Sequence, residues 1–249
     1  MDYLSELFRG LYDTTGFNFS VLYDPYDRDR WLIGMKTTLL LAAWSVALSL
    51  IIGLVGAILH QTGNPLLRWL MRVYVHVFRN TPPLAQLYFF YFAVSPMLSG
   101  PASGGGAHLP VFGNFAWAVI SLSLLQGAFS LEIFRSGFDA VPDQMREAAD
   151  ALGISRSVQL FKIKLPLAFR LCLPALQGNI VNSIKTTSLA YAIAVPEMLY
   201  AANQIWSDRV NVVEMMLVML LSYVALVGLA GSGLSWLERR LALPGFGGR

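Results

Sequence analysis

Lys185 is the only charged residue between positions 171 and 196, and Thr186, Thr187 and Ser188 follow it directly. An ammonium at the centre of a bilayer costs ~2.5–3.5 kcal/mol on insertion scales, so it needs a partner or water. Two roles are open: tying helices together, or facing a path and meeting a ligand carboxylate. Glu132 and Arg135 raise the same alternatives. They end a stretch, 80–131, that holds no Asp, Glu, Lys or Arg, and their i, i+3 spacing allows them to pair on a helix. Other chemistry is excluded. No Gly is followed by Lys anywhere, so no phosphate-cradling P-loop exists, and neither His-Glu-x-x-His nor Gly-x-Ser-x-Gly occurs. No catalytic residue is assigned. His60, His76 and His108 lie in three separate segments, so no metal site is expected. Cys172 is alone in an apolar run and reads as a packing residue.

The elements that must carry these residues are membrane helices. Of the 249 residues 55% are hydrophobic and 13% charged, with mean hydropathy +0.55. A net charge of +3 could suggest nucleic acid, but the apolar content argues against it. A span needs ~20 apolar residues. The uncharged stretches give five, at about 35–59, 79–97, 112–134, 171–195 and 212–237, within a membrane domain over 31–239. Pro96, Pro101, Pro110 and Gly104–Gly106 mark the loop dividing the second span from the third. With the C-terminal tail, 240–249, in the cytoplasm, the inner segments carry Arg68, Arg72, Arg79, Arg146, Arg156, Lys162, Lys164, Arg170, Arg239, Arg240 and Arg249. The outer ones carry only Arg9, Arg28, Arg30, Lys36 and Arg209. The tail 1–30 is then outside, and Leu4, Leu7, Phe8, Leu11 and Tyr12 give it a helix with one apolar stripe along the membrane surface. Trp31, Tyr88, Tyr91 and Trp236 suit interfacial belts. Gly228, Gly231 and Gly233 suit close helix packing, and Glu197 and Glu214 read as solvated boundary carboxylates.

The inner loop 139–166 reads as two short helices. Pro142 and Asp143 suit a first turn, and Asp143, Arg146 and Asp150 can link along one face. Gly153 is placed as a left-handed cap, Ser155 as the cap of the second helix, and Pro166 as its stop.

Glu147-Ala148-Ala149, then Gly153, then Ile163-x-Leu165-Pro166 resembles the EAA loop of ATP-binding-cassette importer permeases. Phe78-Arg79-Asn80-Thr81-Pro82, Gln86-Leu87, Glu132-Ile133-Phe134-Arg135-Ser136-Gly137 and Lys185-Thr186-Thr187-Ser188-Leu189 are similar to segments of the polar amino-acid branch, and Leu237-Glu238-Arg239-Arg240 followed by Leu243-Pro244-Gly245 resembles its glutamate/aspartate group. The resemblance implies an all-α integral membrane protein of the type I importer permease fold in the bacterial inner membrane. It implies that Glu147, Ala148, Ala149, Gly153, Ile163, Leu165 and Pro166 couple to an ATPase, with Lys185, Thr187, Ser188, Glu132 and Arg135 as candidates for the substrate path. Two ATPase subunits would bind the ATP and Mg, this chain holding no cofactor. A second permease, identical or homologous, would complete the path, and a periplasmic or lipid-anchored binding protein would deliver a polar amino acid. A secondary transporter or channel subunit is the alternative.

Overall fold

The computed structural model describes residues 2–98 and 112–241; Gly104–Gly106, His108 and the tail beyond Leu241 lie outside the described residues. Among the described residues there are helices and no strands. In chain order they are α1 (Asp2–Thr15), α2 (Ser20–Tyr23), α3 (Pro25–Gln61), α4 (Pro65–Asn80), α5 (Pro83–Tyr88), a π turn (Phe89–Val94), α6 (Ser95–Leu98) and α7 (Asn114–Asp139). There follow α8 (Asp143–Ala151), α9 (Arg156–Val158), a second π turn (Gln159–Lys164), α10 (Leu165–Thr186), a 3-10 turn (Thr187–Ile193), α11 (Met198–Arg209) and α12 (Val212–Leu241). Helices α3, α7 and α12 are long and apolar enough to cross a membrane. The connection after α3 is only residues 62–64, because Asn64 accepts from the N–H groups of Leu66 and Leu67 and Pro65 takes the first helical position. Arg68, Arg72 and Arg79, which read as charges of an inner segment, therefore sit on a helix.

The chain forms two compact units. The first comprises residues 1–44, 83–122 and 184–228. Its core gathers Trp31, Met198, Ala202, Ile205 and Met215, so Trp31 is a core residue and not part of an interfacial belt. A Cβ on Gly34 would stand 2.8 Å from that of Ala201, which fixes how closely α3 and α11 approach. Arg209 bonds both Asp24 and Asp27, and Arg30 reaches Asp208 at 2.7 Å. The stripe on α1 is only partly covered: Phe8 meets Phe19 edge-on and Tyr12 stacks on Tyr23, while Leu7 faces outward.

Glu197 departs from its expected solvated state. It is fully buried and caps α11, accepting from the N–H groups of Leu199 and Tyr200 at 2.9 Å each, while Thr38 Oγ1 accepts from Met198 N–H at 3.0 Å. The Tyr223 hydroxyl adds a donor at 3.3 Å. Burial nevertheless pushes the carboxyl up to about 7, against the pull of these hydrogen bonds. An unfolded chain releases this proton near its ordinary value and the folded one only near 7. The charge therefore burdens the fold increasingly as pH rises from about 4.5 to 7, by up to roughly 3 kcal/mol. Thermal unfolding in detergent should show stability falling across that window, and Glu197→Gln should flatten the fall. An unchanged slope would place the titration on another group.

The second unit comprises residues 45–82, 123–183 and 229–249, with Ala57, Phe134, Phe138, Ala168, Cys172 and Leu176 at its core. Cys172 packs as expected. Close helix contact occurs elsewhere than at the α12 glycines. Of Gly228, Gly231 and Gly233 only Gly231 has a neighbour within 4 Å of an added Cβ, Val181 at 3.9 Å. On Gly53 a Cβ would lie 2.4 Å from that of Ser130 and 2.8 Å from the Leu131 nitrogen, and on Gly137 it would lie 2.8 Å from the Ala168 carbonyl. Backbone cannot yield as a side-chain tip can, so Gly53→Val should lower stability by at least about 1–3 kcal/mol. Gly233→Ala, with open space around it, should do nothing measurable in the same detergent melt. Polar side chains also bridge helices here: Asn179 donates to Ser130 Oγ at 2.9 Å and Gln177 to Ser235 Oγ at 2.8 Å.

Candidate functional site

The elbow between α8 and α10 is built from its backbone outward. Pro142 holds an extended ψ of 135° before α8, and Gly153 ends the turn with φ of 70°, the left-handed cap that its position implied. Ile154 N–H donates to the Ala149 carbonyl and Gly153 N–H to that of Asp150, each at 3.0 Å, closing the last helical carbonyls. One side chain then clips the two arms together. Gln159 Nε2 donates to Asp150 Oδ1 and to the Ile154 carbonyl, both at 2.7 Å. Ser155 occupies the capping position but its side chain makes no capping bond, so the side-chain bonds that hold this corner are the two that Gln159 donates. With Asp150 engaged there, only Arg146 and Asp143 remain of the charged row, 3.7 Å apart and exposed, a pair of little energetic weight.

Pro166 does not stop the second helix. α9 passes through the π turn into α10, and Pro166 lies in its first turn. A π turn bonds i to i+5, so the missing proline N–H and the bulk of the ring are accommodated where the winding is wider. Along the motif, Glu147, Ala148 and Pro166 are exposed, Ile163 and Leu165 are half-buried, and Ala149 is buried. The elbow also turns Leu152 outward, 77% exposed, together with Val158 and Phe161. An acid flanked by exposed apolar side chains on a fixed turn can seat in a socket.

The proposed path residues separate. In the first unit, Lys185 and Ser188 line a cavity of about 540 Å³ with Leu199, Met219 and Tyr223. Lys185 is exposed and forms no ion pair among the described residues. Thr187 is turned away: it is fully buried, and its hydroxyl donates to the Ile184 carbonyl at 2.7 Å. Ser188 donates to the Lys185 carbonyl at 3.0 Å. In the second unit, Arg135 pairs with Glu132, as their spacing suggested, on the wall of a different cavity of about 720 Å³.

With the elbow and cavities in place, residues 34–243 match the family model described as binding-protein-dependent transport system inner membrane component. The chain belongs to that family. Among relatives, it is 29% identical over 224 residues to a probable glutamine ABC transporter permease protein, GlnM, of Bacillus subtilis (strain 168), covering 90% of this chain and 98% of that one. It is 31% identical over 197 residues to the L-cystine transport system permease protein TcyB of the same organism, covering 77% and 79%. A solved structure described as an amino acid ABC transporter with histidines superposes with TM-score 0.75 at 24% identity, covering 86% of this chain and 94% of that chain. An inward-facing MetNI methionine ABC transporter gives 0.67 at 18% identity. These likenesses carry the fold: an all-α type I importer permease, an inner-membrane component of a transport system.

Proposed function

We propose that this chain is the permease subunit of an ATP-driven importer for polar amino acids, forming half of a translocation path that works by alternating access. The observation that carries the reading is the elbow: a rigid turn at Gly153 presenting Glu147, Ala148 and Leu152 outward within a chain of this family. Two ATPase subunits dock there and supply the ATP and Mg, a second permease completes the path, and a binding protein delivers substrate to the opposite face. The names of the relatives, glutamine and L-cystine, support an amino acid as substrate. Lys185 offers its ammonium to the substrate carboxylate in a cavity that holds no acid among its lining residues. The C-terminus is cytoplasmic. Cysteines introduced at 155–158 should then resist an impermeant reagent added to intact cells, while those at 96–98, which are exposed, react; reversed labelling would overturn the orientation. Co-purification of the tagged chain, with its ATPase and binding protein and the ligand the latter holds, tests the whole assignment. Uptake that survives loss of the co-purifying ATPase would favour the secondary transporter.

A further inference from the structure

The larger cavity of the second unit carries a chemistry that the permease reading leaves unassigned. Its wall on α4 has two sides. Arg72, His76 and Arg79 follow one another on one side, and Trp69, Val73 and Val77, spaced i, i+4 and i+8, form the other. These three apolar residues are 53%, 40% and 49% exposed although they belong to the wall. Across from them α7 supplies Glu132 and Arg135. The three guanidiniums face one carboxylate, and that carboxylate is already taken by Arg135. Arg79 lies over the Phe129 ring at 5.1 Å, and neither it nor Arg72 forms an ion pair among the described residues. Arg135 Nε is buried with no acceptor. The Arg135 donor is costly to leave unmet, while Arg72 and Arg79 are exposed at the cavity with their charges unpaired among the described residues, so an oxyanion entering there would find several charge-assisted donors at one place.

We propose that this cavity binds the headgroup phosphate of an anionic diacyl phospholipid between Arg72, Arg79 and Arg135, with an acyl chain laid along Trp69, Val73 and Val77. A phosphodiester brings the negative charge that the excess guanidiniums lack, and its oxygens accept from several of them at once. The apolar row decides between sources: a free phosphate gains nothing from it, whereas a lipid needs it. A basic amphipathic helix such as α4 beside a membrane span is suited to such headgroups. The inference goes beyond the permease reading and stands or falls separately from it.

Native mass spectrometry of the purified importer, exchanged into mixed phosphatidylglycerol and phosphatidylcholine, tests this. The unaltered protein should retain phosphatidylglycerol over phosphatidylcholine by about tenfold or more. Arg72→Gln and Arg79→Gln should each reduce that retention about tenfold, while Arg68→Gln, on the same helix but outside the cavity, leaves it intact. Millimolar inorganic phosphate should fail to displace the lipid. Equal retention of the two lipids by the unaltered protein overturns the proposal without recourse to any variant. Displacement by inorganic phosphate, or by the transported amino acid, overturns it too, in favour of a free oxyanion.

Discussion

A complex carrying Gly153→Val should assemble in the membrane and hydrolyse ATP at a rate that no longer rises when loaded binding protein is added. The cause lies in the backbone alone. Nothing stands within 4 Å of a Cβ placed on Gly153, so the substitution meets no steric obstacle, but φ is 70° there. Holding a β-branched residue in that region costs on the order of 1–3 kcal/mol, comparable to the bonds that Gly153 and Ile154 make to close the turn. The elbow should yield first, and with it the placement of Glu147 and Leu152. Asn, which tolerates the left-handed region, should be nearly silent, Ala intermediate and Val severe. Glu147→Arg should act in the same direction by reversing an exposed charge. Normal ATPase attachment together with normal stimulated hydrolysis in the Val variant would sink the coupling role.

Lys185→Met should reduce uptake in proteoliposomes at least about tenfold, the value of one charge-assisted hydrogen bond to a carboxylate, without loss of assembly. Because Lys185 forms no ion pair among the described residues, its removal leaves no buried charge stranded, and Met is a good helix former. Lys185→Arg should keep part of the activity. The neighbouring hydroxyls separate the alternatives. Thr187→Val should act on stability, since that hydroxyl is buried and engaged with the Ile184 carbonyl and the Tyr223 hydroxyl. Unchanged rates and substrate preference in Lys185→Met would refute the path role, and a subunit that failed to assemble would restore the structural tie.

Legibility of the sequence followed the range of the interactions concerned. The Gly153 cap and the Glu132–Arg135 pair could be read because each depends on residues within about one helical turn. Gln159 was invisible: its reach to Asp150 depends on the turn having first folded back. Glu197 was misread for a similar reason. Its three-residue reach to Tyr200 is local, but its burial is tertiary, with Tyr223 of α12 reaching the carboxylate and Thr38 of α3 holding the adjacent Met198 N–H. Glycine in an apolar span has no sequence signature of what it touches. The α12 cluster looked like a packing seam while Gly53 and Gly137 carry the contacts. Arg68 and Arg72 fall between the first two spans because hydropathy discounts charged residues, although the stretch they occupy is an intact helix.

The π turn at Gln159–Lys164 has a consequence for the length of the chain itself. Such a turn holds one more residue than an α-helix covering the same path. Deleting one residue within 159–164 can therefore be taken up by rewinding to α geometry, leaving the downstream face where it was. The same deletion inside 167–176 finds no slack. It turns every later position on α10 by about 100°, swinging Gln177 off Ser235 and Asn179 off Ser130. Two sites a few residues apart on one continuous helical run should thus differ sharply in their tolerance of a shortened gene.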